Sequence, residues 1–228
     1  AYLSQMGITG PQEPMDGGGN LFIGTCADEP LYDELLVPFK DNLYTFGVGV
    51  KPYCCCQGSH ALIDAASDIR AKIGGDFKSI KKITIVFQER EVEILCNIVH
   101  PKTVIEAQFC ARFAVSLRMV KGGNSFNDYN EENLFDQDIS CLIDKCEVKS
   151  VPAGTLSEAN GPARLIVEME SGTVYDVAKP YATGSVKFPM TRDGIIEKFV
   201  SNTLPTLSRD RVDEIIECVM DFDKERSI

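Results

Sequence analysis

KPYCCCQGSHALIDAA, residues 51–66, sets a lysine, a proline, three consecutive cysteines and one of the chain's two histidines directly before a helix. Pro52 disfavours helical backbone at Lys51, so TFGVGVKPY reads as an extended connector. Ser59 suits an N-cap. Beyond it Leu62, Ile63, Ala66, Ile69 and Ile73 recur at helical spacing until Gly74-Gly75 stops the helix.

Working outward, SIKKITIVF and EVEILCNIV alternate apolar and polar residues around the turn QER, which predicts a β-hairpin or two neighbouring strands. A second helix is expected from Ile105 to Lys121, ending at Gly122-Gly123. The stretch NSFNDYNEENLFDQDISCLIDKC holds Asn/Asp turn signals and then a short helix. CEVKSVP, ARLIVEME and TVYDVAK read as strands, the last two joined by a Ser171-Gly172 turn. After the loop KPYATGSVKFPM come two amphipathic helices. One starts at Thr191 with Ile195, Ile196, Phe199 and Val200 inward, the other at Ser208 with Val212, Ile215, Ile216, Val219 and Phe222 inward. Upstream, AYLSQMGITGP looks like the last turns of a helix ending at Gly7, so the chain is expected to begin in mid-structure, and Tyr32 to Leu36 suits a short helix. Helical ends thus enclose a strand-rich insert. The pattern predicts an α+β fold whose ends pack together, or on a helical body, while the insert forms a second domain.

Composition narrows the function. With 44% hydrophobic residues in 228 the chain can bury a sizeable core. Its 23 Lys+Arg against 34 Asp+Glu give a formal charge of −11, which argues against nucleic acid and requires any acidic ligand to be met locally. No apolar run approaches the roughly twenty residues of a membrane span, and no signal-peptide pattern opens the chain, so it reads as soluble and intracellular. Nine cysteines, an odd set without a CxxC pair, argue against a disulfide scaffold and for buried, reduced thiols. Cys54, Cys55 and Cys56 lie too close in sequence to grip one tetrahedral ion easily, so no metal is expected.

Four motifs carry a resemblance. GITGPQEP, KPYCCCQGSHALIDA, HPKTVIEAQFCARFAVSLRMVKGG and ATGSVKFPMTRDGIIEKF, in this order and with these gaps, resemble the C-terminal half of the MmgE/PrpD family. That family includes 2-methylcitrate dehydratase, cis-aconitate decarboxylase and iminodisuccinate epimerase. The resemblance spans nearly the whole chain and implies an α+β lid domain, helices on a small antiparallel or mixed sheet, at residues 51–180. It makes 1–50 and 181–228 pieces of an all-α domain. It also implies chemistry on small di- and tricarboxylates without metal or organic cofactor, and a homodimer or heteromer located in the cytoplasm or, for a eukaryotic parent, in the mitochondrial matrix. Family members are considerably longer, and their N-terminal helical half supplies an aspartate and histidines of the catalytic pocket. By this resemblance the chain is half an enzyme, completed by that half as a missing segment or a separate partner chain.

The resemblance places Lys51 at the hinge between helical body and lid, reaching a substrate carboxylate, with Tyr53 beside it. His60 falls at the start of the first lid helix, where free N–H groups suit an anion and the dipole favours neutral imidazole. It is expected to orient substrate or transfer a proton. Phe113 occupies a position that is usually tyrosine in the family. It can wall a pocket but has no hydroxyl to donate. Arg112 beside it is either a substrate cation or a surface arginine. Glu106 reads as support for a helix N-terminus, and His100 as loop structure. A nucleophilic cysteine in the CCC run, activated by the helix N-terminus and His60, is the lesser reading. The expected function is therefore a cofactor-independent lyase of the 2-methylcitrate dehydratase or cis-aconitate decarboxylase type, acting with a partner half. The alternatives are an epimerase of the same family and a non-catalytic lid-like binding or assembly module.

Overall fold

A computed structural model describes residues 2–9, 33, 47–157 and 161–221. The chain forms two compact units, 1–46 and 47–228. In the first, helix α1 (Tyr2–Gln5) stops before Gly7, whose φ of +82° is left-handed. Of the helix expected at Tyr32–Leu36 only Asp33 is described, and Phe222 also lies outside the described residues.

The second unit is built on β1 (Ile80–Gln88). β1 pairs in parallel with β2 (Cys146–Val151) and antiparallel with β3 (Ala163–Met169), which pairs antiparallel with β4 (Val174–Lys179). The sheet is therefore mixed, in the order β2-β1-β3-β4. β1 is buried at every residue from Ile83 to Gln88, as a strand covered on both faces must be. Helix α2 (His60–Lys72) crosses β3 and β4 and contributes Leu62, Ala65, Ala66 and Ile69 to the sheet-side core. A Lys179–Asp68 ion pair of 2.7 Å ties β4 to the same helix.

Two sequence expectations fail here. EVEIL is not a second hairpin strand but helix α3 (Glu89–Leu95), entered from an extended Gln88, with Glu89 and Glu91 in its first turn. Acidic groups stabilise a helix N-terminus, and Glu91 and Leu95, four apart, share the buried face. The expected helix from Ile105 to Lys121 is broken into α4 (Val104–Gln108) and α5 (Ala111–Lys121). At the break Cys110 is extended (φ −109°, ψ 109°), and its sulfur accepts the Phe113 N–H at 3.4 Å. The stop at Gly122, φ +80°, stands as read. Ser59 takes the N-cap position of α2, as read, from a 3-10 turn, though its side chain makes no capping bond. Glu106 does support a helix start, since its carboxylate accepts the Lys102 N–H while Thr103 caps Glu106.

Helix α5 has two buried sides. Val115 and Met119 face the sheet-side core, whereas Phe113, Ala114 and Leu117 join Ile63, Tyr129, Ile139 and Ile143 in a second cluster. Short helices α6 (Glu131–Leu134) and α7 (Gln137–Asp144) close that cluster. Helices α8 (Arg192–Thr203) and α9 (Arg209–Met220) begin at Thr191 and Ser208, whose hydroxyls accept the Gly194 and Arg211 N–H groups. Their inward faces are thinner than expected: Val212 is fully buried, but Val219 is 62% and Ile195 38% exposed. No helix among the described residues is long and apolar enough to cross a membrane.

The loop before α8 decides where Lys51 sits. Val50 N–H donates to Gly184 O at 2.8 Å, and a Cβ on Gly184 (φ +84°) would collide with Val50 O. Gly172 shares the positive φ, but a methyl added there would have nothing within 4 Å. Gly172→Ala should therefore cost about 1 kcal/mol of backbone strain, and Gly184→Ala clearly more, as read from urea unfolding midpoints.

Candidate functional site

The 51–56 segment enters α2 along the wall of a cavity of about 450 Å³. Backbone bonds fix it there: Cys54 N–H donates to Asn124 O at 3.0 Å and Cys56 N–H to Gln108 O at 2.9 Å. Lys51 and Tyr53 both line the cavity, as does Lys198 from α8. The Lys51 ammonium lies 3.5 Å from Cys55 O, and the Lys198 ammonium donates to Lys51 O at 2.6 Å. Gln108, Ser125, Ser201 and Asn202 add neutral polar groups, and Phe109 and Phe126 add apolar rim. Among the described lining residues there is no carboxylate and no imidazole. Two cations with neutral donors and no competing anion make a site for a negatively charged ligand.

Tyr53 turns its hydroxyl away from the cavity. It donates to Asp64 Oδ1 at 2.5 Å, while Asp64 Oδ2 accepts the Thr183 N–H at 2.7 Å. The Arg118 guanidinium stands 5.0 Å from the Tyr53 ring centroid, a cation–π contact on the same residue. Burial first, and then the Asp64 carboxylate, push the Tyr53 phenol above its ordinary range, so it stays a donor.

His60 lies behind this wall. It is 1% exposed, its ring meets the Tyr53 ring edge-on at 5.2 Å, and Nε2 sits 3.4 Å from Cys55 O. Desolvation lowers its pKa to about 4; the nearby Lys51 and Lys198 charges add to the drop, while the Cys55 carbonyl and Asp64 oppose it. The imidazole is neutral at physiological pH, as expected, but burial rather than the helix dipole makes it so, and it does not line the cavity.

Arg112 and Phe113 are not brought to the cavity. Arg112 Nη1 donates to Cys96 O at 2.9 Å, on the far side of the α4–α5 break. Phe113 is 1% exposed inside the second core cluster, 5.9 Å from the Tyr129 ring. Buried there, it fills a position where a hydroxyl would need a partner. His100 is a loop residue paired with Asp144 at 2.8 Å.

Sequence reasoning missed Lys198, Asp64 and Gln108. Lys198 stood within the quoted ATGSVKFPMTRDGIIEKF motif, and its charge on an otherwise half-apolar helix was the available signal. Asp64, within an apolar helical face, was another. Gln108 carried none.

A mixed sheet with its helical cover, holding a cationic cleft at the approach to its first long helix, defines a small α+β domain. Residues 53–224 match the MmgE/PrpD C-terminal domain, and the chain belongs to that family. A comparison with curated proteins gives no match.

The buried imidazole makes a prediction about stability. Between pH 6.5 and about 4 the unfolded chain carries a proton on residue 60 that the folded chain refuses. The stabilisation is complete above pH 6.5 and is lost as pH falls toward 4, amounting to ~2 kcal/mol by pH 5. His60→Gln should flatten the fall in urea midpoint between pH 7 and pH 5 relative to the parent chain; an unchanged fall would contradict a buried neutral imidazole.

Proposed function

We propose that the chain supplies the lid and hinge of a cofactor-independent lyase acting on small di- or tricarboxylates, by dehydration or decarboxylation. Lys51 and Lys198 hold carboxylate groups, Ser201 and Asn202 donate to remaining oxygens, and the aromatic rim limits ligand size. The observation that carries this reading is the pair of ammonium groups on one cavity that lacks any described carboxylate. Charge-assisted hydrogen bonds of about 1.5–3 kcal/mol each are enough for two cations to orient a dianion. The net charge of −11 does not prevent this, because surface charges beyond about 8 Å are screened at physiological ionic strength.

In this reading residues 51–180 form the lid, and 1–50 and 181–228 belong to a helical body. The acid and base that move protons come from an N-terminal helical half, in the same parent chain or a partner. His60 acts from behind: as a neutral ring it holds Tyr53 and the Cys55 carbonyl in place without carrying a charge into the wall. A second reading, a carboxylate-binding module without turnover, is supported by the lack of an acid/base group among the described lining residues. An epimerase of the same family would use the same two cations.

The test pairs binding with turnover. Lys51→Ala and Lys198→Ala should each weaken citrate or succinate binding by about tenfold to a hundredfold, with unfolding midpoints unchanged. Turnover, assayed together with a chain carrying the N-terminal half, should fall in parallel. Binding unaffected by both substitutions would remove the lysines from the site, and binding without any turnover in the completed assembly would favour the module.

A further inference from the structure

The cysteine run is left unused by carboxylate binding, and the described cysteines sort into distinct groups. Burial pushes the Cys55 thiol up to about 12, Cys96 to about 11 and Cys146 to about 12, and raises Cys110, so these four stay as unreactive thiols. Cys141 and Cys218 lie exposed on helices away from the cavity. Cys54 and Cys56 are half-buried and line the cavity with Lys51 and Lys198. Cys54 has a further feature: Gln108 Nε2 donates to its sulfur at 3.3 Å and to its carbonyl at 3.1 Å. The Gln108 bond fixes the direction of the sulfur, and two ammonium groups on the same cavity concentrate anions beside it.

We propose that Cys54 is a modification site for small α,β-unsaturated carboxylates captured in this cavity. The inference rests on the carboxylate-binding role of Lys51 and Lys198 and extends it to a covalent brake. With a carboxylate held by the lysines, the Cys54 sulfur forms an S–C bond at the β-carbon. The C=C π pair moves to the α-carbon, which takes up the proton given up by the thiol. No atom leaves, and no oxidant or reductant is consumed. The adduct occupies the cavity and excludes further ligand. An enzyme whose product or substrate is an unsaturated acid would thereby be slowed by its accumulation.

The experiment incubates the 228-residue chain with fumarate and maps adducts by peptide mass spectrometry, with succinate binding measured in parallel. The expected result is addition of one whole fumarate at Cys54, about tenfold faster than at Cys141 or Cys218. Succinate should protect, Lys51→Ala and Lys198→Ala should each slow labelling, and Cys54→Ser should abolish it while leaving succinate binding intact. If succinate binds but fumarate leaves Cys54 unmodified, or labels it no faster than Cys141 and Cys218, the covalent inference is overturned and the carboxylate site stands. Labelling at Cys54 that ignores both lysines and succinate would overturn the anion-directed mechanism and the carboxylate site together.

Discussion

A single buried carboxylate holds the wall of the cationic cavity together. Asp64 is 8% exposed, and burying it is tolerable only because both oxygens are engaged, one by the Tyr53 hydroxyl and the other by the Thr183 N–H. The first bond ties the 51–56 segment to α2. The second spans 119 residues and ties the loop before α8 to the same helical turn. Around this clasp the backbone bridge from Val50 to Gly184 and the Lys198 bond to Lys51 O join hinge, loop and α8 directly. Removing the Tyr53 hydroxyl would leave an oxygen of the buried Asp64 carboxylate without a partner, which makes the clasp the rigid part of the arrangement, whereas the Lys198 bond to Lys51 O is exposed.

The rigidity has a chemical consequence. Lysine side chains are flexible and strongly hydrated, so a lysine on a loose linker binds an anion weakly and without direction. Lys51 instead projects from a backbone fixed on both sides, and Lys198 approaches it from a separate helix. The fold thus places two positive charges together in a protein whose overall charge is strongly negative. His60, behind the wall, is kept neutral chiefly by desolvation and adds no charge to that of the two lysines. Cys54 lines the same cavity as the two lysines.

Much of this was legible in the sequence, and the failures have physical causes. The four strands, the Ser171-Gly172 turn and helices α2, α8 and α9 were carried by periodicity and by local signals such as Thr191, Ser208 and Gly122. EVEIL was misread because five residues of alternating apolar and polar character fit both a strand and a helix face. The acidic first turn at Glu89 and Glu91 was the signal that separates them. The break at Cys110 contains neither glycine nor proline, and a thiol is a poor predictor of a cap, so nothing local announced it. Lys51 and Tyr53 were found because their motif is contiguous. Lys198 became part of the site only through a contact across more than a hundred residues, and Asp64 reaches the loop before α8 in the same way, which periodicity does not encode. Arg112 and Phe113 show the converse: neighbours in a motif, they are drawn off by the Cys96 carbonyl and by the second core.

The clasp itself is open to a direct measurement. Asp64→Asn keeps the shape but replaces one acceptor oxygen with an amide N–H₂, so Tyr53 O–H and Thr183 N–H no longer both find acceptors. Amide hydrogen exchange should then quicken at Val50 and Thr183, the reporters of the hinge and its bridging loop, by about tenfold or more, while the β1 amides paired with β2 and β3 keep their protection. Exchange at Val50 and Thr183 that matches the parent chain would show that the hinge is held by something other than Asp64, and would contradict the clasp on which the cationic site depends.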